Sequence, residues 1–148
     1  NNYRTNFTPY QTGEALFRFS LTSFPPDPSG GRSRDFGYSV SLPFECASIA
    51  GAQEGPLPPS TSWLTVQPAN AMLLALKAAE DDRGTIVRLL ETEGQDTDVT
   101  VSVRAFCVTR AFRTTLTEED LEEIPCSGGE VTFPLRAWSV ATLRLLSS

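Results

Sequence analysis

The stretch Lys77-Ala78-Ala79-Glu80-Asp81-Asp82-Arg83-Gly84-Thr85-Ile86-Val87-Arg88-Leu89-Leu90-Glu91-Thr92-Glu93-Gly94 decides the fold. Two apolar-containing runs are joined there by Asp81-Asp82-Arg83-Gly84. Aspartate side chains bond turn backbone and glycine accepts positive φ, so the join predicts a hairpin. Ile86, Val87, Leu89 and Leu90 suit a buried strand. The run before the join, Ala71 to Ala79, holds Ala, Leu, Met and Lys, which prefer helix intrinsically. It is short, follows Pro68 and Asn70, and feeds a turn, so it reads as the first strand of the pair.

Working outward, Val99, Val101, Val103, Ala105 and Cys107 alternate with Thr100, Ser102, Arg104 and Phe106. Period two predicts a core strand, with Cys107 as a small buried hydrophobe. Arg110 to Thr115 continues it past a bend. Thr117 to Glu123 has a capping residue ahead of acids and predicts a helical turn. Ser127-Gly128-Gly129 turns the chain into Val131 to Leu135, and Val140 to Leu146 closes it. Upstream, Trp63 to Gln67 is a short strand. Ala50 to Ser62, rich in Gly, Pro, Ser and Gln, is a linker. Before it, Ala15 to Phe24 alternates Phe17, Phe19 and Leu21 with Arg18, Ser20 and Thr22, and Tyr38, Val40 and Leu42 alternate before Pro43. These predict a strand pair separated by an exposed Pro25 to Gly31 loop. Short strands at regular spacing give an all-β class and an antiparallel β-sandwich.

Three segments carry a family resemblance. Lys77, Glu80-Asp81, Gly84, Ile86-Val87-Arg88-Leu89, Glu91 and Gly94 form one spaced pattern. Asn1-Asn2-Tyr3-Arg4-Thr5-Asn6-Phe7, Gln11, Gly13 and Phe17 to Ser23 form a second, departing from the family where Arg4 follows Tyr3. Phe133-Pro134-Leu135 through Ala141-Thr142-Leu143-Arg144-Leu145 form the third. In this order they resemble the C-terminal β region of family 38 glycoside hydrolases, the class II α-mannosidases. The resemblance implies that residues 1–49 end a central, mutarotase-like β domain, 50–62 link, and 63–148 form the terminal sandwich. It further implies a parent that hydrolyses α-mannosides with retention, using an Asp nucleophile, a carboxylic general acid and zinc in an N-terminal α/β barrel. None of those residues lies in this chain, so no catalytic, cofactor or metal residue is assigned here. The expected partners are the upstream catalytic and central β domains. The lack of an initiator Met gives the same expectation of a longer polypeptide.

Composition narrows the classes. The net charge is −6 with Lys77 the sole lysine, which leaves no basic stripe for a phosphate backbone, so no nucleic acid partner is expected. Histidine is absent, which removes the commonest general base and zinc ligand. Cys46, Cys107 and Cys126 are odd in number and widely spaced, fitting free thiols and a reducing, cytoplasmic setting. No segment reads as a signal peptide or a bilayer span, so no membrane partner is expected.

Asp81 with Asp82, and the Glu118 to Glu123 cluster, are the acid groups that glycosidase chemistry would want. Their settings instead predict a turn with ordinary carboxylates and a solvated acidic face. Arg18, Arg88, Arg104 and Arg144 fall in predicted strands, as solvated residues or partners for acids. Trp63 and Trp138 could stack on a sugar ring or pack between domains. Tyr3, Asn6, Tyr10 and Gln11 form a polar, aromatic run suited to the same contacts. The rival reading is an independent carbohydrate-binding or protein-interaction sandwich with Tyr10, Trp63 and Trp138 exposed and clustered.

Overall fold

A computed structural model describes residues 12–26, 30–42, 44–52 and 54–147. The chain divides into two units, Asn1–Ala52 and Gln53–Ser148. The second carries nine strands in chain order. These are β1 Leu64–Gln67, β2 Ala71–Ala78, β3 Thr85–Glu91, β4 Thr97–Val103 and β5 Val108–Thr114, then β6 Asp120–Ile124, β7 Cys126–Ser127, β8 Glu130–Leu135 and β9 Val140–Ser147. One sheet has the order β1-β4-β8-β7 and the other β2-β3-β9-β5-β6, with antiparallel pairing throughout. The all-β sandwich is therefore the fold.

The hairpin at the centre forms as its residues predict. β2 pairs with β3 from Ala71 opposite Glu91 to Ala78 opposite Thr85, with an irregularity between Leu73 and Ala75. The ladder overrides the helical preference of the Ala and Leu run, because every β2 residue except Leu74 gains a cross-strand partner. Ala79 N–H donates to the Gly84 carbonyl at 3.0 Å to close the turn. Gly84 has φ +87°, and a Cβ there would stand 2.4 Å from the Leu145 carbonyl oxygen. Any larger residue would push the turn off β9.

The two sheets face each other across Val87, Leu89, Val99, Val101, Val131, Phe133, Leu135, Leu143 and Leu145, all buried. Each such side chain contributes roughly 1.5–3 kcal/mol by leaving water. Outward-facing positions of β4 and β8 alternate with them. Thr100 and Thr132 share a hydroxyl hydrogen bond of 2.9 Å, and the Ser102 hydroxyl donates to Glu130 at 3.0 Å.

Three expectations are corrected. The alternation from Val99 to Cys107 is not one strand: β4 ends at Val103, residues 104–107 cross to the other sheet, and β5 starts at Val108. The letters keep their period while the chain changes sheets, so Cys107 falls in the crossover and is exposed, as is Cys46. The acids after Thr117 form no helical turn. Asp120 to Ile124 is β6, hydrogen-bonded to β5, because a neighbouring strand edge offers Glu122 and Glu123 a ladder that an isolated turn lacks.

The third correction lies in the first unit. Its Tyr38 to Leu42 alternation falls within and just past a helix, α1 Gly31–Ser41, which buries none of its residues. Ala15 to Phe24 forms neither strand nor helix, and Phe17, Phe19 and Leu21 are exposed. A strand needs a partner, and none is paired with either segment among the described residues. Without one, residues 31–41 satisfy their backbone groups locally as a helix.

Candidate functional site

Glu91, the last residue of β3, is wholly buried. One carboxylate oxygen accepts the Asn70 amide N–H at 3.0 Å and the Glu93 backbone N–H at 2.8 Å. The other accepts the N–H groups of Gly94 at 2.7 Å and Trp138 at 2.9 Å. Burial alone would raise its pKa. The backbone N–H donors of Trp138 and Glu93, with Asn70 and Gly94, outweigh it and hold the group at about 2. One ionised side chain thus ties β3 to the segment before β2, the β3–β4 loop and the β8–β9 turn.

That turn displays an aromatic residue. Trp138 has φ +55° and is 69% exposed. The left-handed region is costly for a bulky residue. Its neighbours hold it there. Ala137 N–H donates to Asp96 at 2.8 Å, and both the Ser139 hydroxyl (2.7 Å) and the Ser139 N–H (3.1 Å) donate to the Arg136 carbonyl. The indole lies against Gly94, where a Cβ would come within 2.5 Å of Nε1. Beside the turn runs an open groove lined by Asp96, Thr97, Asp98, Pro134, Leu135 and Arg136. Asp98 also borders a second depression with Gln67 and Thr100.

A second buried charge, Arg144, lies on the outer face of the five-stranded sheet and is 1% exposed. Its Nε donates to Asp120 at 2.8 Å. Nη1 donates to Asp81 at 2.7 Å and to the Arg83 carbonyl at 2.6 Å, and Nη2 donates to the Glu118 carbonyl at 2.6 Å. Burial lowers its pKa, but Asp81 and Asp120 more than offset this and hold it above the ordinary arginine range. Arg144, then Arg83, hold the Asp81 carboxyl far below its usual range. Glu118 is also buried, with φ +71°. Its carboxylate meets Lys77 at 2.7 Å and accepts the Glu80 N–H at 2.8 Å, and Lys77 above all keeps its pKa low. Lys77 also pairs with Glu80, and Arg88 donates to the Leu116 carbonyl at 2.9 Å. These contacts lock the β5–β6 loop onto the sheet.

Two sequence expectations are thereby revised. Asp81 does occupy the hairpin turn, but as an ion-pair partner with a shifted pKa rather than an ordinary solvated acid. Glu118 is buried against Lys77, so the Glu118 to Glu123 stretch is not uniformly a solvated face. Both pairs escaped the sequence because their cations are distant in the chain: Arg144 is 63 positions from Asp81. Arg104 lies in the crossover and Arg18 in the irregular part of the first unit, both exposed.

Trp63 is 45% exposed and its carbonyl accepts the Arg104 N–H at 2.8 Å, just past the end of β4. Trp138 lies near the other end of that strand, since Leu135 pairs with Thr97. The two indoles are thus separated rather than clustered. Tyr3, Asn6, Tyr10 and Gln11 lie outside the described residues. The residues that sequence reasoning missed are Glu91, Asn70, Asp96 and Asp98. The Glu91 and Gly94 spacing inside the family pattern was their visible trace.

Among the described residues, no three His, Cys, Asp or Glu side chains converge to hold a metal ion. No curated protein matches the chain. The family comparison is positive: residues 70–143 match the model described as the glycosyl hydrolases family 38 C-terminal beta sandwich domain. That span opens at Asn70, covers Glu91 and Trp138, and takes in half of the 148 residues. With a two-sheet sandwich built around the same residues, the chain belongs to glycosyl hydrolase family 38 as its C-terminal beta sandwich part.

Proposed function

We propose that the chain is the non-catalytic C-terminal sandwich of a zinc-dependent, retaining α-mannosidase, supporting the catalytic domain of that enzyme. The observation that carries this reading is the use of charge within the family-matched region. Glu91, Asp81 and Glu118 are committed to hydrogen bonds that hold turns and loops, which is the work of a scaffold. The exposed alternation Phe17, Phe19 and Leu21 supports a sheet-completing role against the preceding central β domain, because such apolar patches mark contact surfaces. Zinc and the two catalytic carboxylates belong to the barrel in this reading. Three cysteines free of disulfides fit a reducing cytoplasm.

The test is to read the coding frame that precedes Asn1 and express its whole product. A barrel carrying zinc-ligating His and Asp is expected upstream. The product should hydrolyse p-nitrophenyl α-mannoside, lose activity to a chelator and regain it with zinc, whereas residues 1–148 alone should be inactive. Cleavage of a different glycoside would overturn the mannoside assignment. A stop codon just ahead of Asn1 would overturn the parent enzyme and favour the second reading, a free-standing carbohydrate-binding sandwich, which draws on the exposure of Trp138.

A further inference from the structure

We propose that Trp138 and the groove beside it form a pyranose-binding site. Trp138 combines positive φ with 69% exposure, so neither core packing nor backbone preference accounts for it. A turn of this kind would relax unless its surroundings fixed it, and two carboxylates do so. Buried Glu91 takes the Trp138 N–H at 2.9 Å, and Asp96 takes the Ala137 N–H at 2.8 Å. Gly94 leaves room for the indole to lie against the β3–β4 loop. The ring is held in place before any ligand arrives, which lowers the ordering cost of binding.

The groove supplies the other half of sugar chemistry. A pyranose presents an apolar C–H face and a rim of hydroxyls. The indole face suits the first. Asp96, Asp98 and Arg136 line the groove, and Gln67 borders the adjoining depression across Asp98. Carboxylates accept from vicinal hydroxyls, while guanidinium and amide groups donate to them. Two acids against one arginine disfavour an anionic ligand, so the ligand class is a neutral oligosaccharide. The site does not depend on which glycoside the parent cleaves. It would act as an accessory contact that holds a polymeric or branched glycan near the enzyme.

The test uses the 148-residue chain with three probes: mannotriose, maltotriose and cellotriose. The chain has two tryptophans, so Trp63→Phe isolates the Trp138 fluorescence. At least one probe should give a saturable change in that signal and a matching calorimetric isotherm in the millimolar range. Trp138→Ala should weaken binding by about tenfold or more, Asp98→Asn by several-fold, and Trp63→Phe not at all. Trp138→Gly, whose backbone accepts the same φ, guards against loss of fold and should lose binding equally. Absence of saturable binding by all three sugars would overturn the site, and so would binding that survives both Trp138 substitutions.

Discussion

Two fully buried charges flank the same strand pair, and they are satisfied in different ways. Glu91 ends β3 and is held by four neutral donors, three of them backbone N–H groups. Arg144, opposite Ile86 in β9, is held by two carboxylates and two carbonyls from two chain segments, 81–83 and 118–120. The arginine network closes an outer sheet face under a loop. The glutamate network pins a turn that projects an aromatic ring. Burying a charge is costly wherever it occurs, and the comparison shows two returns on that cost: a sealed face and a displayed residue.

Breaking the arginine network should have the largest effect. Arg144→Ala removes the buried donor shared by Asp81, Asp120 and two carbonyls, and leaves the two carboxylates only the exposed Arg83. Asp81 is 43% exposed and Asp120 28%, so water rescues part of the loss. The expected destabilisation is at the low end for a broken buried pair, about 3 kcal/mol in guanidinium unfolding. A cost near zero would mean that the β5–β6 loop is held by Lys77, Glu118 and Arg88 alone.

The glutamate network sharpens the comparison through pH. The Glu91 carboxyl lies at about 2 in the fold against an ordinary 4.5. A depressed folded pKa gives stability that is complete above the unfolded value and fades as pH falls from 4.5 towards 2. The melting temperature of the native chain should therefore drop across that window. Glu91→Gln should lower it at neutral pH and flatten the acid slope, although Asp81 and Glu118, also depressed, keep part of that slope. An unchanged slope would show that the N–H donors do not favour the ionised form.

Trp138 separates display from stability. Trp138→Gly removes backbone strain but adds unfolded-chain freedom and loses the contact with Gly94, terms that oppose one another. Net stability by thermal or chemical unfolding should move by less than about 1 kcal/mol. A large loss would make the ring a structural plug and sharply reduce the contrast with Arg144.

How far the sequence revealed this depended on range. The hairpin, the β4 alternation and the Gly128-Gly129 turn were legible because a few adjacent residues determine them. The β4–β5 crossover was not, since Ala105 and Cys107 keep the period of Val99 to Val103 while the chain passes from one sheet to the other. Phe17, Phe19 and Leu21 have strand-like letters but no paired neighbour among the described residues. At the candidate site Trp138 was visible as an aromatic residue. Its display depends on Glu91, 47 positions away, and no local pattern reports a contact of that kind.

The smallest effect is expected where geometry is good and burial is poor. Arg110 grips Glu123 with two hydrogen bonds of 2.8 and 2.9 Å, close in length to the 2.8 and 2.7 Å of Arg144 to its carboxylates. Its guanidinium also stands 4.7 Å from the Phe112 ring centre. Yet both partners are about half exposed, so solvent and salt screen the attraction, and ordering two long side chains costs entropy. Glu123→Gln should leave the unfolding midpoint unchanged within error at physiological salt, with Arg110 retained over Phe112. A loss approaching that of Arg144→Ala would mean that bidentate geometry on an edge strand stabilises by itself. The contrast drawn between the networks would then rest on pairing rather than on burial.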